Sequence, residues 1–211
     1  LIPPLLDHIS FRIGNQLFFV RIEDVENELV TPSNPDGLTM IVNGCKGVAC
    51  HMPMIKKGIS WEVFNSDWGL INPKTKALIN PYQLVTNEKI IMTDWEIQDF
   101  AVQVVRNYIK DELGFRILSS QGNPSVHPSI WFKGQEKDEC VIVSSAKFGY
   151  YMPELPSNID NIIENVSSIT KKVHFASVCF CHPDQKNNKD VLPLYRGYGA
   201  SIKFNGLRIL T

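Results

Sequence analysis

Between residues 93 and 110 apolar side chains return every three or four positions, at Ile97, Phe100, Ala101, Val104, Val105 and Tyr108, while Gln98, Asp99, Gln103, Arg106 and Lys110 fall mostly on the other side. That period predicts one long amphipathic helix. Thr93-Asp-Trp-Glu96 matches a capping box, in which the Thr hydroxyl and the Glu carboxylate each satisfy a free backbone donor. Gly114 is placed to end the helix in a left-handed conformation. The pattern then changes. Short apolar runs at 115–118, 130–132 and 140–143 predict three strands, separated by a turn at 121–124 and a polar link at 133–139. Ser157 is expected to cap a second helix over 158–172. Residues 173–181 are almost continuously apolar, as a central strand covered on both faces would be. Gly197, Gly199 and Gly206 break up a final strand pair around 200–204.

The first 90 residues read as β-rich. Gly14-Asn15 between two apolar runs within 11–22 predicts a hairpin. Further strands are expected at 38–42 and 59–64, and a turn at Asn72-Pro73-Lys74-Thr75. The whole pattern predicts an α+β protein (mixed α/β): a β-rich N-terminal unit over 1–90, then over 91–211 a mixed sheet flanked by helices.

Composition adds boundaries to this picture. The chain has 211 residues, 44% of them hydrophobic, enough for one sizeable core or a core with a smaller partner. No run approaches about 18 apolar residues, so no membrane span is expected. The chain opens at Leu1 without a basic region or cleavage site, so no secretory signal is expected either. Five cysteines cannot all pair, and Cys140 and Cys179 lie in apolar runs. Reduced thiols in a cytoplasmic setting fit best. Net charge is −1 but uneven. Residues 93–170 hold six Lys or Arg against eleven Asp or Glu, whereas 171–211 hold seven against two. If nucleic acid is a partner, its surface is expected at Lys171, Lys172, Lys186, Lys189, Arg196 and Lys203, with Tyr195 and Tyr198 stacking on bases.

Helix, strand, strand, strand, helix, strand over 93–182 resembles the common core of the PD-(D/E)xK, or restriction-endonuclease-like, superfamily. The resemblance implies a nuclease-like scaffold. It places the Pro-Asp position on Pro128-Ser129, the second motif on Ser145-Ala146-Lys147, and the helix Glu on Glu96. Active members hold a divalent metal with strand carboxylates, and the metal activates water and stabilises charge on the scissile phosphate. Both strand carboxylates are serine here, and a hydroxyl is a poor ligand for a hard cation such as Mg²⁺. Glu96, Ser129, Ser145 and Lys147 are therefore expected to be vestigial positions, with no metal and no cofactor. The expected function is non-catalytic binding of nucleic acid or another protein. The alternative is a Mg²⁺-dependent nuclease with migrated carboxylates, for which Glu136, Asp138 and Glu139 are available. Glu139 lies six residues before Ser145, about 20 Å along a strand, too far to replace it locally.

Two further constellations carry less. Cys45, Cys50 and His51, with Cys179, Cys181 and His182, would offer soft ligands to zinc. Their spacings do not form the usual knuckle, and Cys179 and Cys181 share one strand face, so packing is the expected role. His127 is read as a solvent-facing loop residue rather than a replacement ligand.

Overall fold

The computed structural model of the protein describes residues 9–26, 35–147, 154–185 and 192–211. The chain divides into two units. The first comprises Pro4–Ile91 with Tyr195–Gly197, and the second Met92–Leu194 with Tyr198–Thr211. Both mix helix and strand, giving an α+β fold with three α-helices among the described residues. No helix among them is long and apolar enough to cross a membrane.

In the first unit, β1 (Ile9–Ile13) and β2 (Gln16–Asp24) form an antiparallel hairpin. Its turn is Gly14-Asn15, with Gly14 at φ 56°, the left-handed region that suits glycine. The chain then enters helix α1 (Pro35–Cys45), not the strand expected at 38–42. The reason lies in the next element. Strand β3 (Val48–Lys57) pairs parallel to β2, with Phe18 opposite Val48, and a parallel neighbour requires a crossover. Leu38, Ile41, Val42 and Cys45 are the sheltered positions of α1, a helical rather than an alternating spacing. Strand β4 (Ser60–Val63) returns antiparallel along β3 and ends the four-stranded sheet, ordered β1-β2-β3-β4. Phe18, Val20, Cys50 and Leu70 form its core. The side chain of Asn72 accepts from the backbone N–H groups of Lys74 and Thr75, closing the expected turn.

Three residues from far along the chain complete this unit. Tyr195 bridges to Ile91, and the Arg196 N–H donates to the carbonyl of Ile90 at 2.9 Å. The Arg196 guanidinium is buried and donates to the carbonyls of Cys45 and, at 3.3 Å, Lys46. It thus supplies positive charge to the C-terminal end of α1, whose own last turn has no basic residue.

The second unit opens with helix α2 (Asp94–Asn107), followed by a wider turn over Tyr108–Glu112. Thr93 and Glu96 form the expected capping box, and Gly114 leaves the helix at φ 73°. Strands β5 (Arg116–Ser120), β6 (Ile130–Lys133) and β7 (Asp138–Lys147) follow as an antiparallel run. Helix α3 spans Ile159–Val166, shorter than expected, and Asn158 rather than Ser157 takes the N-cap position. Strand β8 (Val173–Cys181) lies parallel to β7, and this pair forms the middle of the sheet. Strands β9 (Ser201–Phe204) and β10 (Arg208–Ile209) do not pair with each other as expected. Both lie antiparallel on the free edge of β8, with Phe204 opposite Val178 and Arg208 opposite Phe175. The register slips by one residue between them, a bulge at Asn205-Gly206-Leu207 where Gly206 has φ 84°.

Strand alternation sorts the core into two layers. Val141, Val143, Ala176, Val178 and Phe180 meet Ile97, Ala101 and Val105 of α2. Cys140, Ile142, Val173 and Phe175 meet Ile162 and Val166 of α3. Both faces of β8 are covered, which is why its sequence lacks polar alternation.

Candidate functional site

Of the positions singled out by the nuclease resemblance, Ser129 lies against Val143 of β7. Strand β6 stops pairing at Ile130 opposite Val141, so Val143 runs past the last rung of that ladder. Two polar side chains take over the role of the missing strand. The Val143 N–H donates to Ser129 Oγ at 3.4 Å, and its carbonyl accepts from Gln98 Nε2 at 2.8 Å. Ser129 and Gln98 are both buried. Two residues before Gln98 on α2, Glu96 Oε2 accepts from the Thr93 N–H at 2.9 Å and from Thr93 Oγ1 at 3.0 Å. Ser145 is half-buried on β7 opposite Val178. The backbone of Lys147 pairs with Phe180, while its side chain lies outside the described residues. Glu96 lies in the first turn of α2, Ser129 just before β6, and Ser145 and Lys147 on β7. Ser129 and Glu96 are engaged with the backbone.

A second polar cluster occupies the opposite end of β7, and sequence reasoning missed it as a unit. Glu139 is buried, with Oε2 2.6 Å from His174 Nε2 and Oε1 3.1 Å from Lys172 Nζ. Parallel pairing of Cys140 with Val173 brings these three side chains to one face of the sheet. The His174 ring turns its Nε2 toward the carboxylate, and its Nδ1 is buried without a partner among the described residues. A Cβ on Gly134 would collide with the Glu139 carboxylate, so the absence of a side chain there makes room for the cluster. The available signal was parity: Glu139 and His174 fall on the inward-facing positions of their strands. Asp138 is held by Lys133 at 2.9 Å.

The basic residues expected to form one surface are dispersed. Lys171 and Lys172 are exposed where the chain enters β8, whereas Lys203 is exposed on β9 opposite Cys179. About 20 Å of strand separates those two places. Arg196 is not exposed at all. Its guanidinium is turned into the first unit by the orphan carbonyls at the end of α1, which corrects its expected place on a nucleic-acid surface. Tyr195 is half-buried with Lys89 Nζ 5.7 Å above its ring. Tyr198 is exposed. Lys186 and Lys189 lie outside the described residues.

All five cysteines are thiols, and four of them are buried. Burial pushes the Cys50 thiol up to about 12, and it does the same to Cys140 with the neighbouring Glu139 charge adding to it. Thiols so raised stay protonated and make poor nucleophiles. Cys45, Cys50 and His51 belong to the first unit, and Cys179, Cys181 and His182 to the second. Among the described residues no three His, Cys, Asp or Glu groups are placed to hold a metal. His127 is half-buried rather than solvent-facing, with a buried Nδ1, and burial lowers its pKa.

The model of one family, described as a domain of unknown function (DUF8840), matches residues 95–210, more than half of the chain, and the chain belongs to that family. No curated protein and no solved structure matches it.

Proposed function

We propose that this DUF8840 chain is a non-catalytic binding protein whose second unit keeps a nuclease-like scaffold without its metal chemistry. The observation that carries the reading is the use of the would-be metal positions as structure. Ser129 completes a hydrogen bond for Val143, and Glu96 closes the capping box of α2. Mg²⁺ needs oxygen ligands that include one or two carboxylates, and Ser129 and Ser145 offer hydroxyls instead. The dispersion of the basic residues and the net charge of −1 favour a protein partner over nucleic acid. The five thiols support a reducing, cytoplasmic setting.

The test is incubation of the chain with single- and double-stranded DNA and RNA in Mg²⁺ and in Mn²⁺. No cleavage is expected. Cleavage that disappears in folded Glu96→Ala or Lys147→Ala variants overturns the proposal. Fluorescence anisotropy with the same nucleic acids at low salt settles the partner class. Binding that weakens steeply with salt, and further on Lys203→Glu, returns nucleic acid to first place.

A further inference from the structure

Strand β4 is an exposed sheet edge. It ends the described four-stranded sheet, and every one of its residues is exposed. Its backbone polarity can be read from its neighbours. The Phe64 N–H donates to the Pro53 carbonyl at 2.9 Å, so this pair faces inward. One residue earlier, Val63 lies opposite Met54, whose carbonyl accepts from Val25 on the far side of β3. Antiparallel ladders alternate, so Val63 and Trp61 turn their N–H and C=O groups to the open edge. The same two residues carry the apolar side chains. They lie on the sheet face that holds Cys50 and Met52, beside the core of the unit, and they remain 42% and 36% exposed. Glu62 lies on the other face, where Lys57 Nζ meets it at 2.8 Å. Edges exposed to water are usually blunted by shortness, charge, proline or a bulge. Strand β4 is short and carries Glu62, but no proline or bulge stands at Trp61 or Val63.

We propose that β4 is a self-association edge, pairing antiparallel with β4 of a second copy about a two-fold axis at Trp61. The sequence Ile59-Ser60-Trp61-Glu62-Val63 reads apolar, polar, aromatic, polar, apolar in both directions. In this register Trp61 meets Trp61 of the other copy as a hydrogen-bonded pair, which matches the outward direction of its N–H and C=O. Ser60 meets Glu62, and Ile59, fully exposed in the turn before β4, meets Val63. Sliding the register one way sets Glu62 against Glu62, and like charges directly opposite are destabilising, while sliding it the other way carries Val63 past the end of the partner strand. Two-fold symmetry makes the contact isologous and closed, so the four-stranded sheet becomes eight-stranded and growth stops there. A four-residue strand buries little area, so the dimer is a weak one. This inference concerns the first unit and stands apart from the reading of the second as nuclease-like.

Sedimentation velocity of the full chain, from low micromolar to near-millimolar concentration, tests it. The sedimentation coefficient should rise toward that of a dimer. Trp61→Lys should weaken association at least about tenfold, while Trp61→Phe retains it. Amide exchange on the unmodified chain gives a reading that does not depend on the variant folding. The Trp61 N–H should exchange more slowly as concentration rises, while the Glu62 N–H, which faces β3, stays constant. A single monomeric species at every concentration overturns the proposal. So does a dimer indifferent to Trp61→Lys in a folded variant, or a Trp61 amide insensitive to concentration. A monomer that instead captures a foreign extended peptide on β4 overturns self-pairing as well.

Discussion

A carboxylate enclosed in a sheet has to be matched by donors, and Glu139 meets Lys172 and His174. Removing one member of such a pair strands the other charge or dipole in a dry place. Glu139→Ala should therefore cost about 3 kcal/mol of unfolding free energy. Lys172→Ala should cost no more than about 1 kcal/mol, because that ammonium is half in water. Urea denaturation monitored by circular dichroism distinguishes the two, and equal losses would contradict the cluster as described. Two other histidines set a pH dependence. Desolvation lowers the pKa of His51 from 6.5, opposed by Glu23, whose Oε1 lies 2.8 Å from Nδ1. Burial lowers His127 in the same direction. The unfolded chain then binds protons that the folded chain does not, in the range from 6.5 down to the lowered native values. Stability should fall as pH drops through that window and recover above it. The double variant His51→Gln, His127→Gln should flatten that slope. An unfolding midpoint that rises on acidification would contradict the assignment.

At the scale of elements, α2 depends on its first turn. Thr93→Ala removes a cap that the Glu96 N–H uses at 3.3 Å, and should cost about 1 kcal/mol without changing the far end of the helix. Amide exchange resolved along α2 would register the loss at residues 94–97 alone, and uniform loosening would speak against a local cap. This helix was legible in the sequence because its period, cap and terminating glycine agree. So were the Gly14-Asn15 hairpin, the Asn72 turn and β8. Helix α1 was not, since Leu38, Met40, Ile41 and Val42 make a short apolar run that fits strand or helix equally. The parallel pairing of β2 with β3 decides it, and no local signal announces that pairing. The edge strand along β8 was half legible, because the glycines marked breaks without saying which strand would receive the pieces. The site was legible by position only. Sequence placed Ser129 and Glu96 near strand and helix ends, but the bonds to Val143 and Thr93 belong to the folded chain. The Glu139–His174 pair joins residues 35 apart and required the β7–β8 register.

For the molecule as a whole, the position of Arg196 governs how the chain can be divided. A fragment ending at Ile91 contains every strand of the first sheet yet lacks the guanidinium that meets Cys45 and Lys46. Such a fragment should melt well below the first unit within the intact chain. Arg196→Met in the full chain should lower stability by about 2 kcal/mol, through the buried Cys45 carbonyl and the part-buried Lys46 carbonyl left without their charged donor. Calorimetry of both species is the check, and a fragment as stable as the unit in the intact chain would refute the role of Tyr195–Gly197.

That same residue fixes an order of events during synthesis. Domains ordinarily fold as units while the ribosome is still extending the chain, the N-terminal one first. Here the donor to the Cys45 carbonyl is encoded 151 residues after its acceptor. Until Arg196 has left the exit tunnel, the Cys45 and Lys46 carbonyls at the end of α1 lack their charged donor. A unit that precedes the other in the chain is therefore finished only after most of the second has been made, and a nascent chain stalled at Leu194 should remain open there to proteases that a chain extended past Arg196 resists.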